Sequence, residues 1–357
     1  MKKIILTGGG TVGHISPIIA LIEVLKKNSR INYLYVGSRN GPECEIAQKN
    51  QIKFKGIFAG KRRNYSSSSN FIDFFKIILG LIQAYFILII FKPDVIFSKG
   101  GYVTFPIVFW AKRFKIPLVI HESDSVMGSI NMYSAKFAQK VCVGFPIENY
   151  QNLNISFDKL VYTGTPIRKE FYTIEPIKSQ KQTILITGGS QGASKINSII
   201  LEILPELIKE FEIYHLVGKN DFENIKTKFS FENYHPIEFT ENMADLMNKS
   251  DLVISRAGST VAEISALGKA SILIPLPSAH KDHQTKNAQI YADKNAAVLV
   301  SEKNLTASSL LSIIKRLLED DEFRLLIGHH AKEFATENAT QDIIDILFKV
   351  SEVTHER

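Results

Sequence analysis

The strongest constraint on this chain is an internal echo. Ile4-Ile5-Leu6-Thr7-Gly8-Gly9-Gly10 returns 180 residues later as Ile184-Leu185-Ile186-Thr187-Gly188-Gly189-Ser190. Each copy is a short, unalternating apolar run that stops on Thr-Gly-Gly and leads into a helical pattern. Runs of this kind are strands covered on both faces, as in a parallel sheet. After the first copy, Ser16-Pro17 reads as an N-cap with proline at the first helical position, and Ile18, Leu21, Ile22 and Leu25 recur at helical spacing. Tyr33 to Val36, Val95 to Phe97 and Pro117 to Ile120 read as later strands. Alternating buried strands and amphipathic helices give an α/β class with doubly wound parallel sheets. The echo makes it two Rossmann-like domains, in keeping with 357 residues at roughly 150 per domain. The stretch from Gly164 to about Gln182, rich in proline and charge, reads as the linker and divides residues 1–163 from 164–340.

Charge is distributed unevenly between the halves. Through Thr165 there are 21 Lys/Arg against 9 Asp/Glu, and beyond it 22 against 27. A basic first half therefore faces an anionic partner, with nucleic acid, anionic lipid and a phosphorylated substrate all eligible on charge alone. Hydrophobic content of 45% excludes disordered and fibrous classes. Two cysteines, Cys44 and Cys142, supply neither a disulfide framework nor a paired zinc motif. Three apolar residues after Lys2-Lys3 fall short of a signal-peptide core. The expectation is a reduced, cytoplasmic protein.

The first loop, Gly8-x-Gly10-x-x-Gly13, has the G-x-G-x-x-G spacing that lets backbone N–H groups approach a diphosphate at a helix N-terminus. A dinucleotide site also needs an acid at the end of the second strand, and Gly37-Ser38-Arg39 stands there. NAD is disfavoured, while Arg39 keeps an NADP reading open. His14 follows the loop, where the positive end of the helix dipole favours a neutral imidazole suited to a general base; a purely capping role is the alternative. Gly188 to Ala193 repeats the cradle with Ser190 and Gln191 added. Arg256-Ala257-Gly258-Ser259-Thr260 follows an apolar run, and Glu263, one turn into the next helix, is placed to accept from two ribose hydroxyls. In His280-x-Asp282-His283-Gln284-x-x-Asn287 the two histidines lack a third ligand, so a polar helix start for a ligand is favoured over a metal site. No metal is expected.

Ile77 to Phe91 is fifteen residues of almost unbroken apolar character. It falls short of the roughly 18–20 residues that span a bilayer. Lys61-Arg62-Arg63, Lys76, Lys92, Lys112-Arg113 and Lys115 bracket it, as suits an anionic membrane surface. A buried core helix is the competing reading. Ser66 to Ser69 reads as a loop that leaves Lys61 to Arg63 available to phosphate or lipid.

Six ordered motifs carry a resemblance: Gly8-Gly-Gly-Thr-Val-Gly-His14-Ile-Ser-Pro17, His121-Glu122-Ser-Asp124, Thr163-Gly-Thr-Pro-Ile-Arg168, Gly188-Gly-Ser-Gln-Gly-Ala193, Ser255-Arg-Ala-Gly258 and His283-Gln284-x-x-Asn287-Ala288. Over about residues 3 to 300 the chain resembles the peptidoglycan N-acetylglucosaminyltransferases of glycosyltransferase family 28. The resemblance implies a GT-B fold, two Rossmann-like domains facing across a cleft, with a C-terminal helix within about 341–357 returning to the first domain. It implies transfer of N-acetylglucosamine from UDP-N-acetylglucosamine to the 4-hydroxyl of undecaprenyl-diphosphate-MurNAc-pentapeptide (lipid I), with inversion, giving lipid II. The setting implied is peripheral, on the cytoplasmic face of the bacterial inner membrane. The lipid acceptor accounts for the basic first half, so no nucleic-acid partner is expected.

Residue by residue, the resemblance implies donor contacts at Thr11, Val12, Gly13, Asp124, Arg168, Ser190, Gln191, Gly192, Ser259, Thr260, Gln284 and Asn287, with Thr11 to Gly13 reaching either the sugar or the acceptor diphosphate. Met243 would pack on the uracil and Glu263 would hold the ribose. It implies acceptor contacts at Gly9, Gly10, Tyr102, His121, Asn131 and Arg63. His14 is the expected base and Glu122 the alternative, with a loop-orienting role beside Asn131 equally open for Glu122. Departing UDP would be stabilised by Arg168 and the helix start after Ser190, without an obligatory metal. Three positions depart from the family pattern: Val12 for glycine, Thr165 for asparagine, and a run from Arg256 to Glu263 one residue short. A GT-B transferase acting on another lipid such as diacylglycerol, an NADP oxidoreductase and a non-catalytic nucleotide-sugar binder are the alternatives.

Overall fold

In the computed structural model the described residues are 1–60, 69–151, 153–177, 179–188 and 193–352, with backbone only at Ser69 and Asn70. The chain divides into two compact units, Met1–Arg168 with Asn338–Arg357, and Lys169–Glu337. The boundary falls after Arg168, a few residues later than the 163/164 division read from composition.

The first unit runs β1 (Lys2–Thr7), α1 (Val12–Leu25), β2 (Ile31–Ser38), α2 (Pro42–Lys49), β3 (Phe54–Ile57), α3 (Ser69–Phe91), β4 (Val95–Ser98), α4 (Phe105–Arg113), β5 (Leu118–Glu122), α5 (Ser129–Ala135), β6 (Lys140–Val143) and β7 (Leu160–Tyr162). Its seven strands are parallel, in the order β3-β2-β1-β4-β5-β6-β7. The second unit runs α6 (Glu170–Thr173), β8 (Thr183–Thr187), α7 (Ser194–Glu210), β9 (Glu212–Leu216), α8 (Lys219–Lys228), β10 (Tyr234–Ile237), α9 (Met243–Asn248), β11 (Leu252–Ser255), α10 (Thr260–Leu267), β12 (Ala270–Leu273), α11 (His283–Asp293), β13 (Val298–Leu299), α12 (Ala307–Glu319) and α13 (Asp321–Lys332). Its sheet is parallel too, in the order β10-β9-β8-β11-β12-β13. The last helix, α14 (Ala339–Glu352), belongs to the first unit. There Ile343, Ile344 and Leu347 join the core formed by Ile4, Leu6, Ile18, Leu21 and Ile22.

The echo read from the sequence has a structural counterpart in register. Thr7 pairs with Ser98 and Thr187 with Ser255, so β1 and β8 both end on threonine beside a serine-terminated neighbour. In both sheets the strand order reverses at that point, between β1 and β4 and between β8 and β11. Doubly wound sheets open a crevice there, at the carboxyl ends of the strands.

Two local readings are corrected. The first helix begins at Val12 with Thr11 as N-cap, so Pro17 lies inside it rather than at its start. A proline there clashes with the carbonyl four residues back and withholds its donor; that residue is Gly13, in the first turn where the loop can yield. The apolar helix is also longer than the fifteen-residue stretch: α3 has 23 residues. Phe71 to Phe91 is long and apolar enough to cross a membrane by length and composition, yet only 17% of its most apolar window is buried. The buried-core reading therefore fails. Gly80, Ala84 and Leu88 face inward, where a side chain at Gly80 would strike the Phe58 carbonyl, and Trp110 Nε1 on α4 donates to the Leu81 carbonyl at 2.8 Å. The opposite face leaves Phe71, Ile72, Phe74, Phe75, Ile82, Phe86 and Ile90 exposed.

Candidate functional site

At the first switch point, β1 ends in Gly8–Gly10 and β4 ends beside Lys99–Gly101. Gly10 has φ +85°, and a Cβ there would lie 2.8 Å from the Tyr102 ring. Gly101, also at φ +85°, passes under His14, with its missing Cβ 3.6 Å from His14 Cδ2 and 2.9 Å from the Gly9 carbonyl. Both positions demand glycine on conformation and on space. Thr11 does not cap α1 with its side chain. Its hydroxyl meets His14 Nδ1 at 2.7 Å. Gly9, Gly10, Thr11, Val12, Gly13, His14 and Tyr102 are thus one cluster, half-exposed from Gly10 onward.

The β5 end is built differently. Glu122 is buried, and its carboxylate accepts from Asp124 N at 3.2 Å, Gly128 N at 2.8 Å and Asn131 Nδ2 at 3.0 Å. Asn131 Nδ2 also donates to the His121 carbonyl at 2.9 Å. Burial, followed by the Asp124 charge, pushes the Glu122 carboxyl above its usual range despite these bonds and the nearby Lys99. His121 is wholly buried, and its Nε2 lies 2.8 Å from the Gly164 carbonyl, which can only accept. The ring is thus the Nε2–H tautomer. Burial, reinforced by Lys99, holds it neutral, well below the ordinary histidine range. His121 and Asn131, expected as acceptor contacts, have no surface with which to touch a ligand. They and Glu122 shape the loop that carries Asp124, which is half-exposed, its carbonyl accepting from Tyr150 OH at 2.8 Å.

The second switch point shows a similar division of labour. Gly258, Ser259, Thr260 and Glu263 are half-exposed around the start of α10, and a Cβ on Gly258 would meet nothing within 4 Å among the described residues. Open space in front of that turn leaves room for a ligand at the backbone. Behind it, Arg256 is buried, donating to the carbonyls of Ile274 at 3.0 Å and Pro275 at 3.2 Å and pairing with Glu302 at 2.5 Å. Asn287, expected at the donor, is completely buried and donates to the Ala257 carbonyl at 3.0 Å, so it shapes the turn from beneath. Gln284 is half-exposed and uses Oε1 to accept from Leu276 N at 2.9 Å. Met243 opens α9, and Arg168 ends the first unit, both half-exposed. Ser190, Gln191, Gly192 and Arg63 lie outside the described residues, as do Lys61 and Ser66 to Ser68 of the loop read from the sequence. Ala193 and α7 follow directly.

Two residue sets escaped sequence reasoning. Asn197, in the first turn of α7, donates to the Val217 carbonyl at 3.0 Å and Asp221 at 2.8 Å and meets His215 Nε2 at 3.0 Å. Its only signal was a polar residue on an apolar helix face. Glu43 of α2 is the second: it accepts from Gly10 N at 3.0 Å and Ser38 N at 2.8 Å. Its carboxylate fills the space beside Gly9 and Gly37 and takes the Gly10 N–H that a dinucleotide diphosphate would need, and the Arg39 guanidinium is stacked 4.7 Å from the Phe58 ring centroid. That removes the footing of the NADP reading. The paired-histidine metal reading fares no better: His283 Nδ1 is 2.9 Å from the His280 carbonyl, and no three His, Cys, Asp or Glu side chains gather as a ligand set among the described residues.

Comparison with known proteins agrees with this layout. Residues 4–143 match the glycosyltransferase family 28 N-terminal domain, and residues 183–346 match the family 28 C-terminal domain. A UDP-N-acetylglucosamine--N-acetylmuramyl-(pentapeptide) pyrophosphoryl-undecaprenol N-acetylglucosamine transferase from Clostridium perfringens is 39% identical, across 97% of this chain and 98% of its own. One of the same name from Legionella pneumophila is 39% identical across 97% and 96%. The crystal structure of Acinetobacter baumannii MurG superimposes with a TM-score of 0.77 at 27% identity, covering 98% of this chain and all of that one.

Proposed function

The chain belongs to glycosyltransferase family 28, and from that premise we propose that it transfers N-acetylglucosamine from UDP-N-acetylglucosamine to the muramyl 4-hydroxyl of undecaprenyl-diphosphate-MurNAc-pentapeptide, making lipid II for peptidoglycan. The observation that carries this is end-to-end identity of 39% with transferases of that name, over both GT-B domains. The donor belongs to the second unit: Glu263 accepts from the ribose, Met243 lies on the uracil, and Ser259, Thr260 and Gln284 frame the nucleotide. Ser190, Gln191 and Gly192 lead into α7, whose N-terminal dipole, with Arg168, receives the negative charge of departing UDP. The acceptor sugar belongs to the first unit, at His14 and Tyr102, and Thr11 and Gly13, which the resemblance implies as donor contacts, are assigned to it instead because they form one cluster with His14.

His14 is the base. With the proton on Nδ1 donated to the Thr11 hydroxyl, Nε2 is the ring nitrogen that takes the 4-hydroxyl proton as the oxygen attacks C1 from the face opposite UDP. The tautomer follows from the role, since a Thr11 hydroxyl donating to Nδ1 would leave Nε2 protonated. The lipid end of the acceptor suits the face of α3 and α4. There exposed Phe71, Phe75, Ile82, Phe86 and Phe109 adjoin Lys76, Lys112 and Arg113, a pattern that rests on an anionic cytoplasmic leaflet.

UDP release measured with UDP-N-acetylglucosamine and a soluble lipid I analogue tests the reading. Release is expected only when that acceptor is present, not with diacylglycerol, and unchanged by EDTA because Arg168 and the α7 dipole carry the leaving-group charge. Release with diacylglycerol alone, or tight UDP binding without turnover, would refute it.

A further inference from the structure

We propose that Glu43 is a positioning residue for the acceptor loop: its carboxylate fixes Gly10 and the Thr11–His14 turn, and closes that part of the loop to anions. The proposal rests on the reading of the first unit as the acceptor domain. An acid in the first turn of a helix ordinarily serves its own helix's N–H groups. Glu43 lies in the first turn of α2 but turns away from it, giving one oxygen to Gly10 N in the β1–α1 loop and the other to Ser38 N at the end of β2. It is completely buried. A carboxylate shared between the ends of two adjacent strands couples them like a strut.

The surroundings are cut to admit it. A side chain at Gly9 would collide with the carboxylate, a Cβ at Gly37 would come 2.7 Å from Glu43 Cγ, and one at Gly41 would come 2.6 Å from Oε2. Glycines from three separate segments leave a slot filled by one side chain. Tyr35 completes the clamp: its hydroxyl donates to the Gly8 carbonyl at 2.9 Å, and burial, with Glu43 beside it, pushes the phenol far up so that it stays a donor.

This arrangement changes what the G-x-G-x-x-G spacing means here. In a phosphate cradle the loop's N–H groups point at the anion. Here Gly10 N–H is already committed to a carboxylate, which also sets negative charge behind the loop. The first loop therefore reads hydroxyl groups of the acceptor sugar through Thr11 and His14, rather than the acceptor diphosphate.

Glu43→Gln is nearly isosteric but turns an NH2 toward one of the two N–H donors. Gly41→Ala keeps the charge and pushes it out of the slot. For both variants we expect kcat/KM for a soluble lipid I analogue to fall at least about tenfold, as for loss of a buried charged hydrogen bond. UDP affinity should stay near wild type, and both variants should still melt cooperatively, at a lower temperature because each leaves a buried polar contact broken. Hydrogen exchange of residues 8–14, which needs no acceptor, should accelerate at least about tenfold in Glu43→Gln by the same argument. Acceptor kinetics within twofold of wild type in the folded variants would overturn the proposal. So would UDP binding that weakens in step with acceptor kinetics, since that marks general loss of structure. If wild-type protein fails to turn over the acceptor, the family reading is at fault, and the exchange measurement alone decides whether Glu43 holds the loop.

Discussion

Glu122 and His14 are the two candidate bases, and their surroundings differ in a way that mutation can read. Glu122 is enclosed and accepts three hydrogen bonds, so its lone pairs already serve the loop from Asp124 to Asn131. His14 is half-exposed, held at Nδ1 by the Thr11 hydroxyl and seated over Gly101. His14→Ala should lower kcat by about 10²–10⁴-fold, the usual worth of a general base, with little change in UDP affinity or melting temperature. Glu122→Gln should act first on stability, because its amide NH2 confronts a backbone N–H in a buried site, at a cost of about 1–3 kcal/mol. Steady-state kinetics beside calorimetry decides this. A Glu122→Gln protein that melts like wild type yet has lost turnover, with His14→Ala still active, would reverse the assignment. Asn287 and His121 carry the same lesson at single-residue scale. Sequence marks candidate polar residues, and only the completed fold shows which of them are buried beneath a turn, as both of these are.

Among the elements, α3 shows how a local pattern can be read correctly in kind and wrongly in extent. Its apolar run was legible, and so were the flanking cations. The extra turns at its start were not, because Asp73 and Lys76 interrupt the run; they pair with each other at 3.5 Å, and Asp73 sits on the inward face. The remaining face presents ten large apolar side chains to solvent, from Phe71 at 69% exposed to Ile90 at 78%. An exposed apolar surface of this size marks an interaction face, and the proposed membrane role makes a prediction for it. Replacing Phe71 and Phe75 together with aspartate removes burial of about 1.5–3 kcal/mol each on a membrane. Partition onto phosphatidylglycerol vesicles should fall at least about tenfold, and binding by the wild type should weaken with salt. Turnover of a water-soluble acceptor should be unaffected. Equal loss of activity with soluble and lipid-embedded acceptors would show that α3 supports the fold instead.

Across the whole molecule, the duplicated Thr-Gly-Gly turn was enough to define two doubly wound sheets, since it depends only on local strand and turn chemistry. Thr7 opposite Ser98 and Thr187 opposite Ser255 are its three-dimensional form. What the echo could not carry is the set of polar anchors behind each switch point, because Glu43, Asn197 and Asn131 act on partners brought near only by the completed sheet. Each unit also holds a buried histidine that such an anchor uses. His215 lies between Tyr234 OH and Asn197 Oδ1, both at 3.0 Å, and burial drives it from 6.5 to about 3; His121 is lowered for the same reason. Both stay neutral when folded, whereas in the unfolded chain each takes up a proton below its ordinary value. The unfolded state then binds more protons, so stability is fully present above about pH 6.5 and is lost progressively as pH falls toward the depressed folded values. At pH 5.5 the His215 site costs about 1.4 kcal/mol relative to pH 8, and His121 acts in the same direction. Calorimetry between pH 8 and 5.5 should show melting temperatures declining toward acid. His215→Gln, which retains a hydrogen-bonding side chain but cannot titrate, should start lower and decline less steeply. A variant whose slope matches wild type would mean that His215 is protonated in the folded protein and that the Asn197 anchor is held another way.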